Sequence, residues 1–426
     1  MKSVITCDME GIIETMNSDA EQIFGYTKDE IIGKKRVSLF SPGEIVLQNV
    51  AGWLDTAVKK GEYIGETYFV KKNKERFNAK VRITPTFANG KNKPQTGYCG
   101  VTEVIEKEVE VPIHFSTKLI KMLAITRMPF TSASLLPVFV IGAYFAGQGD
   151  GLFNVLSFAL TILGILIAHL ALNVFNDYFD VKDGTDDANA EYFQQVSGGS
   201  RAIELGLITL KGTKKLGIIL ILIAISIGIF VYSTAETLNK PFILQIGLAG
   251  LLLGYFYTAR PVRLVARRGL GELAIFLAFG PLLTLGTGYA ICEGDFSIHL
   301  INCFLLGIPL GLLTTNILLI NEFPDMTSDA KTEKNHLVVT FGKKASRWIY
   351  LLILILAVAS SLYMTQVIEN SYLLIPTIFC AGFGLFIFKH IMTHYEQRSL
   401  VDSNWKTIGL QAIFAIMVCI CLIFGV

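Results

Sequence analysis

Residues 152–187, LFNVLSFALTILGILIAHLALNVFNDYFDVKDGTDD, set two unlike environments end to end. From Leu152 to about Val174 the run is apolar and long enough to cross a hydrocarbon core of about 30 Å, which takes about 20 helical residues. From Asp177 to Asp187, five carboxylates crowd into eleven residues. Such a cluster repels itself unless something cationic sits in it. On a helix Asn173 and Asp177 are four apart, and so are Asn176 and Asp180, so each pair shares a face. The stretch reads as a membrane helix that delivers hard oxygen ligands at one end.

Eight further apolar runs lie outward from it, centred on 129–147, 215–233, 241–258, 270–291, 297–320, 348–367, 371–391 and 405–425. The fold class that follows is an all-α polytopic membrane bundle of nine transmembrane helices, preceded by a soluble α/β domain. Composition agrees: 52% of the 426 residues are hydrophobic and only 17% charged, against about 25% charged in an average soluble domain. The charge is uneven, since the residues before Lys118 hold 16 of the 37 Lys and Arg and no long apolar run. The expected division is 1–106 for the soluble domain, 107–118 for a linker and 119–426 for the membrane domain. A net charge of +2 spread over short loops, with no nucleic-acid motif, excludes a nucleic-acid partner. Seven cysteines without a CxxC pair, most of them in apolar runs, read as packing residues. The N-terminus turns polar after five residues and does not read as a signal peptide.

Loop charge orients the bundle. Twenty Lys and Arg, from Lys118 to Lys406, fall in loops on the side of the soluble domain, against Lys240 alone on the other side. By the positive-inside rule the protein is expected in the cytoplasmic membrane, with the N-terminal domain and acidic loops cytoplasmic and the C-terminus outside. Trp348 and Trp405 fall at cytoplasmic starts of spans, where an indole buries its ring and keeps its N–H wet.

In the soluble domain, strand-like runs at 3–7, 11–16, 62–70, 75–86 and 95–104 surround helix-like segments at 22–33 and 44–60. This order, with ITCDMEGIIETMNSDAEQIFGYTKDEIIGK and GETYFVKKNKERFNAKVRITP, resembles a PAS sensory domain over about the first 105 residues. The resemblance implies a small-ligand, redox or dimerisation module of unknown ligand. No His precedes His114, which argues against His-ligated haem, and Cys7 and Cys99 sit on the wrong elements for a flavin adduct. A domain that only mediates contacts, dimerisation included, is the plainer alternative.

A second acidic block, Asn321-Glu-Phe-Pro-Asp-Met-Thr-Ser-Asp329, ends the sixth span and places Asn321, Asp325 and Asp329 on one stripe. Both blocks follow even-numbered spans and so emerge on one face. Between them on that face lies Tyr255-Phe-Tyr-Thr-Ala-Arg-Pro-Val-Arg-Leu-Val-Ala-Arg-Arg268. A single acidic helix end is usually just solvated, and arginines at a membrane surface are ordinary anchors. Two matched acidic ends with arginines between them point to Mg²⁺ and a diphosphate. Ser197-Gly-Gly-Ser-Arg201 reads either as a loop turn or as backbone amides and a cation near phosphate. His169, inside the second span, reads as a packed or hydrogen-bonded helix residue rather than a ligand.

Together these blocks resemble the UbiA-type intramembrane prenyltransferases, over residues of about 115–426. NDYFDVKDGTD is similar to the first Asp-rich motif, YTARPVRLVARRGLGE to the loop that follows span four, and NEFPDMTSDAKTEKNHLVVTFG to the second Asp-rich motif. Arg127-Met-Pro-Phe-Thr-Ser-Ala-Ser134 and the NDYFD and NEFPD forms are similar to the branch that prenylates 1,4-dihydroxy-2-naphthoate on the way to menaquinone. The chain departs from the family spacing at Gly184, where Asp183 and Asp186 flank the expected Asp, and at Asn335-His336, which leaves Lys331 or Lys334 to supply phosphate contacts. The resemblance implies Mg²⁺-dependent transfer from a polyprenyl diphosphate to an aromatic acceptor. Asp177, Asp180, Asp325 and Asp329 would be the catalytic carboxylates and, with Asp186, the metal ligands. Arg127, Asn173, Asn176, Lys182, Arg201, Tyr257, Arg260, Arg263, Asn321 and Lys331 would line the substrates. Other acceptors (4-hydroxybenzoate, a tetrapyrrole, a glycerol phosphate lipid) and a PAS-linked transporter or receptor are the alternatives.

Overall fold

The computed structural model describes residues 1–90, 92–149, 151–184 and 199–425. Its contacts divide the chain into two units, Met1–Ile125 with Ser200–Leu210, and Thr126–Gly199 with Lys211–Val426.

In the N-terminal unit, strands β1 (Lys2–Asp8), β2 (Ile13–Met16), β3 (Tyr63–Val70), β4 (Arg76–Thr86) and β5 (Gly97–Val104) form one antiparallel sheet in the order β2-β1-β5-β4-β3. Alternating inward residues, among them Ile5, Phe69, Ala79 and Val81, pack on Ile13, Phe24, Ile31 and Phe40 as the core. The segment expected as one helix over 22–33 is broken. Asn17 caps α1 (Ser18–Phe24) by accepting from Ala20 N, and Gly25 ends it in the left-handed conformation at φ 76°. Helix α2 (Ala51–Lys60) follows, and α3 (Phe115–Thr126) closes the unit. Gln48 straps the approach to α3, accepting from His114 N at 2.9 Å and Thr117 Oγ1 at 2.8 Å and donating to Pro112 O at 3.0 Å.

The second unit consists of helices that are apolar nearly all round: α4 (Ser132–Gly147), α5 (Val155–Lys182), α6 (Leu210–Thr234), α7 (Lys240–Thr258), α8 (Leu270–Phe279), α9 (Pro281–Ile291), α10 (Leu300–Lys331), α11 (Leu337–Val367), α12 (Leu374–His394) and α13 (Val401–Phe424). Among the described residues eight segments are long and apolar enough to span a membrane, with α8 and α9 counting as one. The expected ninth, α4, has 16 helical residues because Arg127 adopts φ 51° and a 3₁₀ turn over Met128–Thr131 replaces its first turn. Helices α5 and α10 run on past their apolar stretches to 28 and 32 residues. At 1.5 Å per residue they measure about 42 and 48 Å, so the final turns that carry the acidic blocks overshoot a core of about 30 Å. Both blocks are helical to Lys182 and Lys331, so the i, i+4 stripes hold.

Two features fix α10. Pro324 inside it has no N–H to give Ile320 O, and the buried Asn404 of α13 donates to that carbonyl at 3.1 Å and to Asn321 Oδ1 at 2.7 Å. The break between α8 and α9 falls at Gly280, where a Cβ would meet Gly307 O at 2.7 Å and Gly311 Cα at 2.9 Å. Here the backbones touch, as at small-residue helix crossings in membranes. Gly311→Leu is expected to lower stability by about 1–3 kcal/mol or more through overpacking, read as the thermal midpoint in detergent. Gly409→Leu, where nothing lies within 4 Å, serves as the control and should move it little.

Candidate active site

The acidic ends of α5 and α10 meet at one side chain. Lys334, in the turn after α10, places Nζ 3.4 Å from Asp180 Oδ1 and 4.0 Å from Asp329 Oδ1. Asp177, Asp180 and Asp329 are all buried, at 4, 7 and 4% exposure. The turn is shaped by Lys334 N donating to Asp329 O at 2.9 Å, with Glu333 at φ 57°. Lys334 therefore points inward, whereas Lys331 is exposed.

The arginine loop after α7 closes over the same place. Asp183 lies between Arg260 Nε and Arg263 Nε, 3.3 Å from each. Arg263 is buried, donates to Thr332 O at 3.0 Å and acts on the Asp329 carboxylate as well, so it belongs to both acidic ends. Arg260 keeps two thirds of its side chain exposed. Arg268 N donates to Asn335 O at 2.8 Å, which fastens this loop to the turn that carries Lys334. Arg127, Arg263 and Arg268 all hold φ between 44 and 51°, a conformation that costs a non-glycine residue about 1 kcal/mol or more and gathers at functional sites. The Tyr257 hydroxyl of α7 feels the charges of Glu322, Glu272, Asp180 and Asp329.

Behind the carboxylates lies a buried network. His336, the N-cap of α11, is 3.1 Å from Asp329 Oδ2 through Nε2 and 3.2 Å from Glu322 Oε2 through Nδ1. Burial alone would push this imidazole down, but the Glu322 charge and the hydrogen bond to Asp329 outweigh it and raise its pKa to about 10. The ring therefore lies between two acids, with Nε2 bonded to Asp329 Oδ2 and Nδ1 facing both Glu322 Oε2 and the N–H of Val339 at 3.3 Å. Glu272 of α8 joins by accepting from Leu337 N at 2.7 Å.

Residues 134–422 match the UbiA prenyltransferase family. The chain belongs to that family. Residues 2–103 match the PAS domain family. Relatives of the UbiA region include a 1,4-dihydroxy-2-naphthoate octaprenyltransferase of Haemophilus influenzae, 29% identical over 57% of this chain and 75% of the relative. UbiA prenyltransferase domain-containing protein 1 of Dictyostelium discoideum is 24% identical over 70% of this chain and 86% of its own length. Among solved structures, a UbiA homologue from Archaeoglobus fulgidus bound to DMAPP and Mg²⁺ shares the fold, with TM-score 0.52 at 15% identity over 72% of this chain and all of the homologue. The protein is thus an integral membrane prenyltransferase of the UbiA family with an N-terminal PAS domain.

Within the UbiA region the remaining expected residues divide. Asn173 donates to Thr126 O at 3.1 Å and thereby holds the residue before Arg127 against α5. Arg127 stacks on Phe130 at 5.1 Å and lies close enough to His169 to act on it; His169 itself is hydrogen-bonded to Ser134 at 2.7 Å. Asn321 is engaged by Asn404, and Asp325 is half-buried, one turn before Asp329. Lys182 is exposed. Arg201 groups with the N-terminal unit, where it pairs with Glu204 at 3.2 Å. Asp186 lies outside the described residues. Sequence reasoning missed Glu272, Glu322 and the role of His336. The signal was available for Glu272, an isolated Glu in an apolar helix, which is costly unless it has a partner; Glu322 sits inside the second acidic block, off the stripe of Asn321, Asp325 and Asp329.

Proposed function

We propose that this UbiA enzyme transfers a polyprenyl group from a polyprenyl diphosphate to 1,4-dihydroxy-2-naphthoate, the acceptor in the name of its H. influenzae relative. The observation that carries the site is Lys334 shared between Asp180 and Asp329, which puts the two acidic helix ends within one ammonium of each other. The donors suit Mg²⁺: Asp177, Asp180, Asp325 and Asp329 offer hard oxygens, and the buried Asn176 Oδ1 has no hydrogen-bond partner. When bound, Mg²⁺ would offset the charge of the diphosphate leaving group.

The chain's own cations do the rest of that work. Arg263 and Lys334 are buried or nearly so beside the carboxylates, Arg260 approaches from the loop after α7, and Arg127 follows Thr126, which Asn173 holds one turn before Asp177. A diphosphate entering here would take Arg260 and Arg263 from Asp183, exchanging one carboxylate for a better bidentate partner. As the allylic C–O bond breaks, the bond pair leaves with the diphosphate. The apolar walls of the bundle keep water from the allylic cation; the electron-rich ring carbon that carries the ionised carboxylate attacks it, and the carboxylate leaves as CO₂ while its C–C bond pair returns to the ring. Tyr257, beside these carboxylates, is placed to orient the acceptor. The loop charges support a cytoplasmic active site and N-terminal domain with the C-terminus outside, and residues 1–106 serve as a regulatory domain.

Purified protein in lipid with labelled geranylgeranyl diphosphate, Mg²⁺ and an acceptor panel tests the reading. Prenylated 1,4-dihydroxy-2-naphthoate that disappears with EDTA is the expected product. Turnover of 4-hydroxybenzoate or a glycerol phosphate instead would overturn the acceptor and leave the diphosphate chemistry standing.

A further inference from the structure

We infer that Glu272, Glu322 and His336 form a binding site for a second kind of divalent cation, a zinc ion, distinct from the Mg²⁺ ligands Asp177, Asp180, Asp325 and Asp329. The three residues come from α8, α10 and the N-cap of α11, all within the helical unit. The site stands on these side chains and not on the identity of the acceptor, so it can fail without the prenyltransferase reading failing.

One carboxylate oxygen from each glutamate and a ring nitrogen of His336 lie within 4.8 Å of one another. The residues are 3, 6 and 1% exposed, so bulk water does not solvate them. Glu272 Oε1 accepts from Leu337 N at 2.7 Å, but its Oε2 has no hydrogen-bond partner, and neither has Glu322 Oε1. Lys334 and Arg263 act on Asp329. Among the described residues the glutamates have only His336 as an ion-pair partner, 3.2 Å from Glu322. A buried carboxylate is strongly unfavourable without compensating charge and hydrogen bonds, and two of them with orphaned oxygens aimed at one ring call for more positive charge than that ring supplies.

The ligand types select the ion. Mg²⁺ and Ca²⁺ take about six or more oxygens, and Mg²⁺ keeps several waters, which does not suit a buried trio that includes an imidazole. One ring nitrogen, two carboxylate oxygens and one further position suit four-coordinate Zn²⁺. Bonds of about 2.0–2.2 Å set neighbouring ligand atoms of a tetrahedral site about 3.3–3.6 Å apart. His336 Nδ1 and Glu322 Oε2, 3.2 Å apart, already stand near that spacing, and Glu272 completes the set through its unpaired Oε2. Binding through Nδ1 displaces any proton there and the long 3.3 Å contact from Val339 N, and it leaves the Nε2 proton for Asp329 Oδ2 at 3.1 Å. A metal-bound histidine that donates its other N–H to a carboxylate is a recurrent orienting device. The zinc therefore holds Asp329 through Oδ2, while Oδ1 is directed at Lys334. In EDTA a proton on Nδ1 takes the place of the ion.

The test uses untagged full-length protein in detergent, stripped with EDTA and returned to excess Mg²⁺ so that the acidic blocks are filled. Zn²⁺ is then added and the protein desalted in Mg²⁺. About one zinc per chain is expected to remain by metal analysis, with the thermal midpoint raised by about 5 °C at a hundredfold excess of Zn²⁺ over its Kd. Glu272→Gln keeps an acceptor for Leu337 N but removes a charged ligand, and should weaken zinc binding about tenfold or more. Asp180→Asn should keep the zinc, since it alters only the Mg²⁺ ligands. Should Glu272→Gln fail to fold, Co²⁺ in the wild type decides the matter: a four-coordinate Co²⁺ band in the visible that Zn²⁺ erases and Mg²⁺ does not is expected. Zinc lost on desalting, zinc kept in full by Glu272→Gln, or a Co²⁺ band erased by Mg²⁺ would each overturn the inference. Prenyl transfer assayed on the same samples stands or falls separately.

Discussion

Asp180→Asn in the full-length protein is expected to lower kcat/KM for prenyl transfer by about 10³-fold, with the protein still folded. Asp180 is buried at the point where the two acidic helices face each other across Lys334, so its charge acts at low dielectric. The neutral amide keeps the volume and hydrogen-bonding capacity but removes one of the hard anionic donors that would hold Mg²⁺, and losses of this kind in an electrostatic site run to about 10²–10³-fold. Asp325→Asn should cost about as much from the other helix. Lys182→Ala and Lys331→Ala remove exposed cations and should change kcat/KM less than about threefold. The contrast is the sensitive part. If Asp180→Asn keeps a tenth of the activity while Lys331→Ala loses more than that, the site is centred elsewhere.

The membrane spans and both acidic stripes could be read from the sequence because each depends on one local rule. Apolar length marks a crossing helix, and spacing of four marks a helix face, so the sequence alone places Asp325 and Asp329 on one stripe. The sheet of the N-terminal domain was legible by alternation, but the helix expected over 22–33 was not, since Gly25 was read as an interior residue and it ends α1. What could not be read is whatever depends on the turn after a helix. The choice between Lys331 and Lys334 turns on Glu333 adopting a positive φ, which the sequence Thr-Glu-Lys does not announce. The grouping of Ser200–Leu210 with the N-terminal domain is likewise a long-range contact made by Gly43 having no side chain. His336 was noticed only as a departure from the family pattern. Its meaning lies in Glu322 and Asp329, which come from another helix and approach it only once α10 and α11 fold back on each other.

That imidazolium supports the second large effect. His336→Asn is expected to destabilise the protein by about 3 kcal/mol at pH 7, because it takes the cation from the buried Glu322 and leaves Asp329 only Lys334 and Arg263. Removing the acid as well, in His336→Asn with Glu322→Gln, should recover a good part of the loss, since a buried pair broken on one side costs more than a pair removed. The pH dependence has a definite sign. The folded pKa of about 10 lies above the ordinary His value of about 6.5, so the folded state holds the extra proton. The stabilisation is complete below about pH 6.5, declines above it and is lost as pH rises through about 10. Thermal midpoints measured in detergent with EDTA should therefore fall more steeply between pH 7 and 10.5 for the wild type than for His336→Asn. Parallel curves for the two proteins would mean that His336 is neutral in the fold, and the network behind Asp329 would then be a hydrogen-bonded one with no charge of its own to hold the second acidic helix in place.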